Sequence, residues 1–279
     1  MFARMSSSPR LLVVVALLLA GIARAAEPLE MPVWPGIAPG SEGRNEKEIW
    51  EERGKDGVVD RAVRQVHVPT ITVHRADKSV ANGVAVLIAP GGGYDHVTID
   101  KEGHDVARWL ATQGITGIVL KYRLPKTPGN VYTVDQPLAD AVQALELVRA
   151  HAAEWGIDPA KLGMMGFSAG GNLTALAGTK PPKAARPAFL APIYAQIPLS
   201  LAPLPADIAP TFIAQAVDDN TDDSIRMYTW VRALKVPVEM HLFAKGGHGF
   251  GLGKKGTPTT EWPKLFTGWL TATGFVAAK

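Results

Sequence analysis

The order of apolar and polar positions changes period several times along this chain. From Val66 to His74 apolar and polar residues alternate and many are β-branched, which predicts a strand near a sheet edge. Val84–Ala89 and Gly117–Tyr122 are nearly unbroken apolar runs, the pattern of strands buried on both faces. Lys161–Met165, Ala188–Ala195, Thr211–Val217 and Val238–Phe243 predict further strands. Between these runs the period becomes helical. Val106 and Leu110, with a stop at Gly114, predict a helix over Asp100–Gln113. Ala141, Leu145, Val148, Ala152 and Trp155 share one face of a long helix. Asp222–Leu234 predicts another, and Trp262, Leu265, Phe266, Trp269 and Leu270 a last one that ends at Gly274. Strands alternating with helices at this spacing predict an α/β fold: a mostly parallel central sheet with helices on both faces. Functional loops then gather at the carboxyl ends of the strands.

Composition sets the boundaries. The 279 residues suit one large domain and contain no internal repeat. Arg4 and Arg10, the short apolar stretch Leu11–Ala20 and the A-x-A site Ala23-Arg24-Ala25 predict a cleavable signal peptide over residues 1–25. A secreted or periplasmic location follows, with no membrane attachment after cleavage, because the apolar stretch is too short to span a bilayer. The domain then runs over 26–279. Its first part, 26–60, is rich in Pro, Gly and charge and is expected to be irregular, packed on the domain by Trp34 and Trp50. Gln196–Pro210 carries four prolines where a lid could be inserted, and it is too short to fold by itself, so no large lid domain is expected. Three of the 29 basic side chains are arginines of the signal; the other 26 match the 26 acidic ones, which leaves no electrostatic footprint for nucleic acid. The absence of cysteine excludes disulfides and thiolate metal sites, and no histidine has metal-ligand spacing. No cofactor is called for.

The candidate chemistry begins at Gly166-Phe167-Ser168-Ala169-Gly170-Gly171. A G-x-S-x-G between a predicted strand and a predicted helix is a nucleophile elbow. Its turn forces strand and helix so close that residues beside the serine must be small. A serine nucleophile needs a base, and His248 lies among glycines just after the last predicted strand. His67, His74, His151 and His241 read as packing or surface residues, while His96 and His104 follow the glycine loop and border the expected pocket. The histidine needs an acid. Asp218 and Asp219 both end the preceding strand, and Asp219, further into the loop, is the first choice. Asp222 and Asp223 read as caps of the following helix. Developing negative charge needs donors: Gly91-Gly92-Gly93 follows a buried strand, so the N–H groups of Gly92 and Gly93, with that of Ala169, form the expected oxyanion hole. No phosphate-loop pattern accompanies these glycines.

With these motifs, Pro90-Gly91-Gly92-Gly93-Tyr94, Lys101-Glu102-Gly103, Tyr122-Arg123-Leu124-Pro125 and Gly246–Gly251, the chain resembles bacterial α/β-hydrolase carbohydrate esterases of the acetyl-xylan and bifunctional feruloyl/acetyl type. The resemblance implies Ser168, Asp219 and His248 as a triad and an acylated sugar or polysaccharide as substrate, with O-acetyl or feruloyl groups as the acyl part. Where many relatives carry His after the elbow's double glycine, this chain has Asn172, and Pro90 stands where related lipases carry His. Tyr94 and the tryptophans are candidates for stacking on sugar rings; Trp262 and Trp269 read as core. The competing readings are a small-molecule carboxylesterase or lipase, an exopeptidase, and a sugar-binding protein on a hydrolase fold without turnover. The oligomeric state is not encoded in any of these features.

Overall fold

The computed structural model describes residues 28–278; the signal peptide expected over 1–25 lies outside them. In chain order the strands are β1 (Leu29–Pro32), β2 (Ile49–Glu52), β3 (Arg61–Arg64), β4 (Thr70–His74), β5 (Ala85–Ala89), β6 (Thr116–Lys121), β7 (Leu162–Phe167), β8 (Leu190–Ile193), β9 (Thr211–Ala216) and β10 (Val238–Phe243). The helices are α1 (Asp105–Thr112), α2 (Asp135–Ala150), α3 (Ala152–Trp155), α4 (Ala169–Thr179), α5 (Asp222–Ala233) and α6 (Trp262–Ala272). A wide, π-type turn, Asp100–His104, runs directly into α1.

Eight strands form one sheet in the order β1-β4-β6-β5-β7-β8-β9-β10. The six from β6 to β10 are parallel, and β4 and β1 add antiparallel at one edge. Every residue of β5, β6, β7, β8 and β9 is buried, which is why these strands read as continuous apolar runs rather than alternations. The main core includes Leu87, Ile118, Met164, Phe189 and Phe212 of the sheet region with Trp262, Phe266 and Trp269 of α6. Among the described residues no helix is long and apolar enough to cross a membrane.

Three local expectations change. The segment 26–60 is not wholly irregular: β1 completes the sheet edge against β4, and β2 pairs with β3 as a separate hairpin. Trp34 does pack on the core, and its Nε1–H donates to the buried Asp140 at 2.8 Å, but Trp50 stays exposed, with Arg61 and Lys121 over its ring. The alternating stretch Val66–Val68 is not part of a strand. Gln65 has a φ of 54°, in the left-handed region, and Pro69 has no N–H to give a ladder, so β4 starts at Thr70. Finally, neither Asp222 nor Asp223 caps α5 with its side chain. Thr221 precedes the helix, and the Asp223 carboxylate instead accepts from the Ile197 N–H and pairs with Arg226.

Gln196–Pro210 is a packed crossover, with Ile197, Leu201 and Ile208 buried in a second cluster with Met227 and Val231 of α5. It forms no lid, and His248 keeps 47% of its side chain exposed.

Candidate active site

Ser168 stands between β7 and α4 with φ 52° and ψ −114°, a conformation that non-glycine residues rarely adopt. The turn is held by the Ser168 N–H donating to the Ile193 carbonyl on β8 at 3.0 Å. A Cβ on Gly166 would collide with the Gly170 carbonyl, and one on Gly170 with the Ala89 carbonyl at the end of β5. Strand, turn and helix therefore touch through backbone, and this contact fixes where the serine projects.

His248 arrives on the loop after β10. Its Nδ1 lies 2.8 Å from Asp219 Oδ2 and its Nε2 lies 2.8 Å from Ser168 Oγ. An ionised carboxylate only accepts, so Nδ1 carries the proton, Nε2 is the acceptor, and Ser168 O–H donates to it. Burial raises the Asp219 pKa, but hydrogen bonds from His248, the Asn220 N–H and Gln215 outweigh it and hold the carboxyl below its usual value. The buried Gln215 at the end of β9 donates to Asp219 at 2.9 Å and accepts from Ser224 Oγ at 3.0 Å, so the acid is oriented from inside the sheet. Asp218 does something else: its carboxylate accepts from the Gly247 N–H at 2.7 Å and the Gly246 N–H at 3.3 Å, which shapes the histidine loop without touching the imidazole.

The glycine loop lies against the serine. A Cβ on Gly91 would sit 3.0 Å from Ser168 Cβ and 2.7 Å from a Glu102 oxygen. Gly91 gives its N–H to Glu102 at 2.7 Å. Among the described residues, the N–H groups of Gly92, Gly93 and Ala169 have no acceptor, and space beside Gly93 is open. Gly92 needs its glycine, because φ is +130° and a side chain would run into His96. The loop is also tied by Tyr122 O–H to the Pro90 carbonyl at 2.6 Å and by Tyr94 O–H to Asn172 at 2.8 Å. Asn172 in turn donates to the Gln196 carbonyl at 2.9 Å, which joins the glycine loop, α4 and the crossover.

A cavity of about 450 Å³ opens here, lined by Tyr94, Pro125, Lys126, Val134, Asn172, Gln196, Pro198 and Asp223. Tyr94 is buried and its hydroxyl is engaged, so it serves as a wall, and no tryptophan lines the cavity. His104 turns away from the site to pair with His74 at 3.0 Å, and His96 Nε2 faces Arg53 at 2.8 Å. Three residues of the site were not expected there from the sequence: Glu102, Tyr194 and Gln215. Glu102 stands in the motif Lys101-Glu102-Gly103 and Tyr194 and Gln215 in predicted strands, but the role of each exists only through contacts across the chain.

Comparison with known proteins agrees with this architecture. The BD-FAE family model matches residues 72–189, which include Gly91–Gly93 and Ser168 and end before Asp219 and His248. An acetylxylan esterase of Xylanibacter ruminicola is 39% identical over 108 residues, 39% of this chain and 22% of that protein. An endo-1,4-beta-xylanase B of Butyrivibrio fibrisolvens is 36% identical over 88 residues, 32% of this chain and 14% of that protein. The chain thus spans under a quarter of the length of these curated relatives. The crystal structure of an acetyl ester-xyloside bifunctional hydrolase from Caldicellulosiruptor lactoaceticus superposes with a TM-score of 0.75 at 26% identity, covering 90% of this chain and 98% of that one. A propionate-bound esterase from Thermogutta terrifontis shares the fold, with a TM-score of 0.65 at 21% identity over 76% of this chain and 92% of that one. The chain has the α/β-hydrolase fold and, over part of its length, is similar to an acetylxylan esterase.

Proposed function

We propose that this protein is an exported serine esterase that removes acetyl groups from plant polysaccharide or its oligosaccharides through an acyl-enzyme. The observation that carries this reading is the unbroken hydrogen-bonded series from Asp219 through His248 to Ser168, set at an elbow beside three unpaired N–H groups. In the reaction Ser168 Oγ attacks the ester carbonyl while Nε2 of His248 takes its proton. The resulting imidazolium faces the Asp219 carboxylate. The tetrahedral oxyanion is met by the N–H groups of Gly92, Gly93 and Ala169, donors of a kind worth about 100- to 1000-fold each in kcat. His248 then protonates the departing sugar hydroxyl, and water repeats the sequence to release acetate and restore the serine.

The acyl and sugar parts rest on the relatives, one named for acetylxylan and one for an acetyl ester and a xyloside. Among the described residues no lid covers the site and His248 is 47% exposed, which suits a bulky polymer. Removal of feruloyl groups belongs to the same proposal. The small-molecule carboxylesterase reading draws on one observation, the partly apolar cavity wall of Pro125, Val134 and Pro198.

The test is acetate release from acetylated xylan beside a panel of p-nitrophenyl esters from acetyl to octanoyl, with methyl ferulate for the feruloyl part. The expected result is acetate release and a preference for acetyl, with both lost by about four to six orders of magnitude in Ser168→Ala. Faster turnover of medium-chain esters without acetate release from xylan would replace this reading with the carboxylesterase one. Undiminished activity in Ser168→Ala would end both.

A further inference from the structure

Among the described residues three acids are buried and unused by the reaction described above: Asp100, which pairs with Arg61, Asp140, which pairs with Arg123, and Glu102. Glu102 is 5% exposed, and no lysine or arginine pairs with it among the described residues. A carboxylate in that position costs several kcal/mol unless hydrogen bonds satisfy it, and an apolar side chain of similar size would fill the core more cheaply. Burial pushes its pKa up, while Tyr194, the Gly91 N–H, Lys101 and His248 pull it back. Packing stability therefore does not account for this acid.

Its bonds lead to the two loops that carry chemistry. One oxygen accepts from the Gly91 N–H at 2.7 Å and the other from the Tyr194 O–H at 2.9 Å. The Tyr194 oxygen accepts in turn from the Gly251 N–H at 3.0 Å, three residues beyond His248. The Tyr194 ring meets the His248 imidazole edge-on, with centroids 5.1 Å apart, and the Phe250 ring at 4.3 Å. Tyr194 itself is held at φ 37°, an unusual backbone for a tyrosine, at the end of β8 beside the elbow. On the other side Glu102 holds the Gly91 N–H, and Gly91 lies so close to the serine that a Cβ on it would sit 3.0 Å from Ser168 Cβ. Tying the Gly91 N–H inward also fixes the peptide from which the Gly92 turn departs.

We propose that Glu102 is a positioning residue: one carboxylate that sets the oxyanion loop directly and the histidine loop through Tyr194, so that donors and base keep a common register around Ser168. This inference rests on the esterase reading. Misplacement of reacting groups by about 1 Å costs on the order of 100-fold in rate, and Glu102→Ala releases both loops.

The experiment measures kcat and KM on p-nitrophenyl acetate, and separately the rate at which a fluorophosphonate probe labels Ser168, for wild type, Glu102→Ala, Glu102→Gln, Tyr194→Phe and the double variant Glu102→Ala/Tyr194→Phe. Circular dichroism and melting curves establish which variants are folded at the assay temperature. For Glu102→Ala the expected result is a fall of about 100-fold in both kcat and labelling rate, with KM within about threefold. Tyr194→Phe, which frees only the histidine loop, is expected to lose about tenfold, and Glu102→Gln, whose carbonyl still accepts from Gly91, less than Glu102→Ala. The double variant is expected to lose less than the product of the single losses, because the two residues act in series. If Glu102→Ala does not fold, Glu102→Gln and Tyr194→Phe carry the same test. Folded variants with lower melting temperatures but kcat and labelling within about threefold of wild type would overturn the inference and leave the esterase reading intact. A wild-type protein that the probe does not label at Ser168 would overturn the esterase reading and this inference with it.

Discussion

Two adjacent acids, Asp218 and Asp219, stand side by side in the turn after β9, and exchanging each for asparagine separates their roles. In Asp219→Asn the side chain keeps its shape but presents an N–H₂ or a neutral oxygen to His248 Nδ1. An amide donor there drives the imidazole proton to Nε2, where it points at Ser168 Oγ and blocks proton transfer. The charge is lost as well. Two unit charges about 4 Å apart interact by about 4 kcal/mol at an effective dielectric near 20 and about 1 kcal/mol in water. Asp219 is 19% exposed and His248 47%, so the pair falls between those limits, at about 2–3 kcal/mol or roughly 30- to 150-fold. The tautomer effect adds to this, and the same change in other serine hydrolases costs about 10⁴ in kcat. The expected loss for Asp219→Asn is therefore about 10³- to 10⁴-fold in kcat with KM within about threefold. Asp218→Asn retains one carbonyl oxygen for the Gly247 N–H, now 2.7 Å from the carboxylate, and leaves the imidazole alone. Its expected loss is under about tenfold, as for a rim hydrogen bond. Steady-state kinetics on p-nitrophenyl acetate with melting curves for both variants is the assay. A loss below tenfold for Asp219→Asn, or a larger loss for Asp218→Asn, would refute the assignment.

Two further outcomes concern stability. Alanine normally replaces a helical glycine with a gain of about 1 kcal/mol, yet Gly170→Ala in α4 is expected to destabilise by at least about 3 kcal/mol, because its Cβ would overlap the Ala89 carbonyl. Gly268→Ala in α6, where a Cβ meets nothing within 4 Å, is expected to raise stability by about 0.5–1 kcal/mol, and urea titrations that give both changes the same sign would count against this contact argument. The His74 imidazole is pushed down from 6.5 to about 4 by burial, then by His104 and Arg108. The unfolded chain thus binds the proton more readily, so stability falls as pH drops from about 6.5 to about 4. His74→Asn is expected to flatten the melting temperature over that range, and an unchanged slope would remove His74 as the cause.

The fold was legible because five of the six parallel strands, β5 to β9, are buried throughout and are mostly apolar, while the half-exposed β10 alternates. Val238–Phe243 reads and folds over the same residues, and Trp262–Ala272 is the amphipathic helix its tryptophans suggest. The edges were harder for a physical reason. β1 has three of its four positions exposed, Leu29, Glu30 and Pro32, without apolar alternation, so only its register against β4 makes it a strand. Val66–Val68 shows the opposite case, a good β pattern overruled by a left-handed Gln65 and by Pro69.

The site divides along the same line. Ser168, His248 and the triple glycine announce themselves because the chemistry proposed for them also demands a local backbone: glycine at positive φ beside the histidine and in the proposed oxyanion loop, and small residues around a strained serine. A local demand leaves a local motif. Glu102, Tyr194 and Gln215 make no such demand of their neighbours in sequence. Glu102 and Tyr194 are 92 positions apart, and the bond between them carries information only when β8 and the turn before α1 are already stacked around the elbow. A motif can contain such a residue, as Lys101-Glu102-Gly103 contains Glu102, without showing which groups its side chain holds. They are found by asking of each buried polar atom where its hydrogen bonds end, and for Glu102 they end on the loops on either side of Ser168.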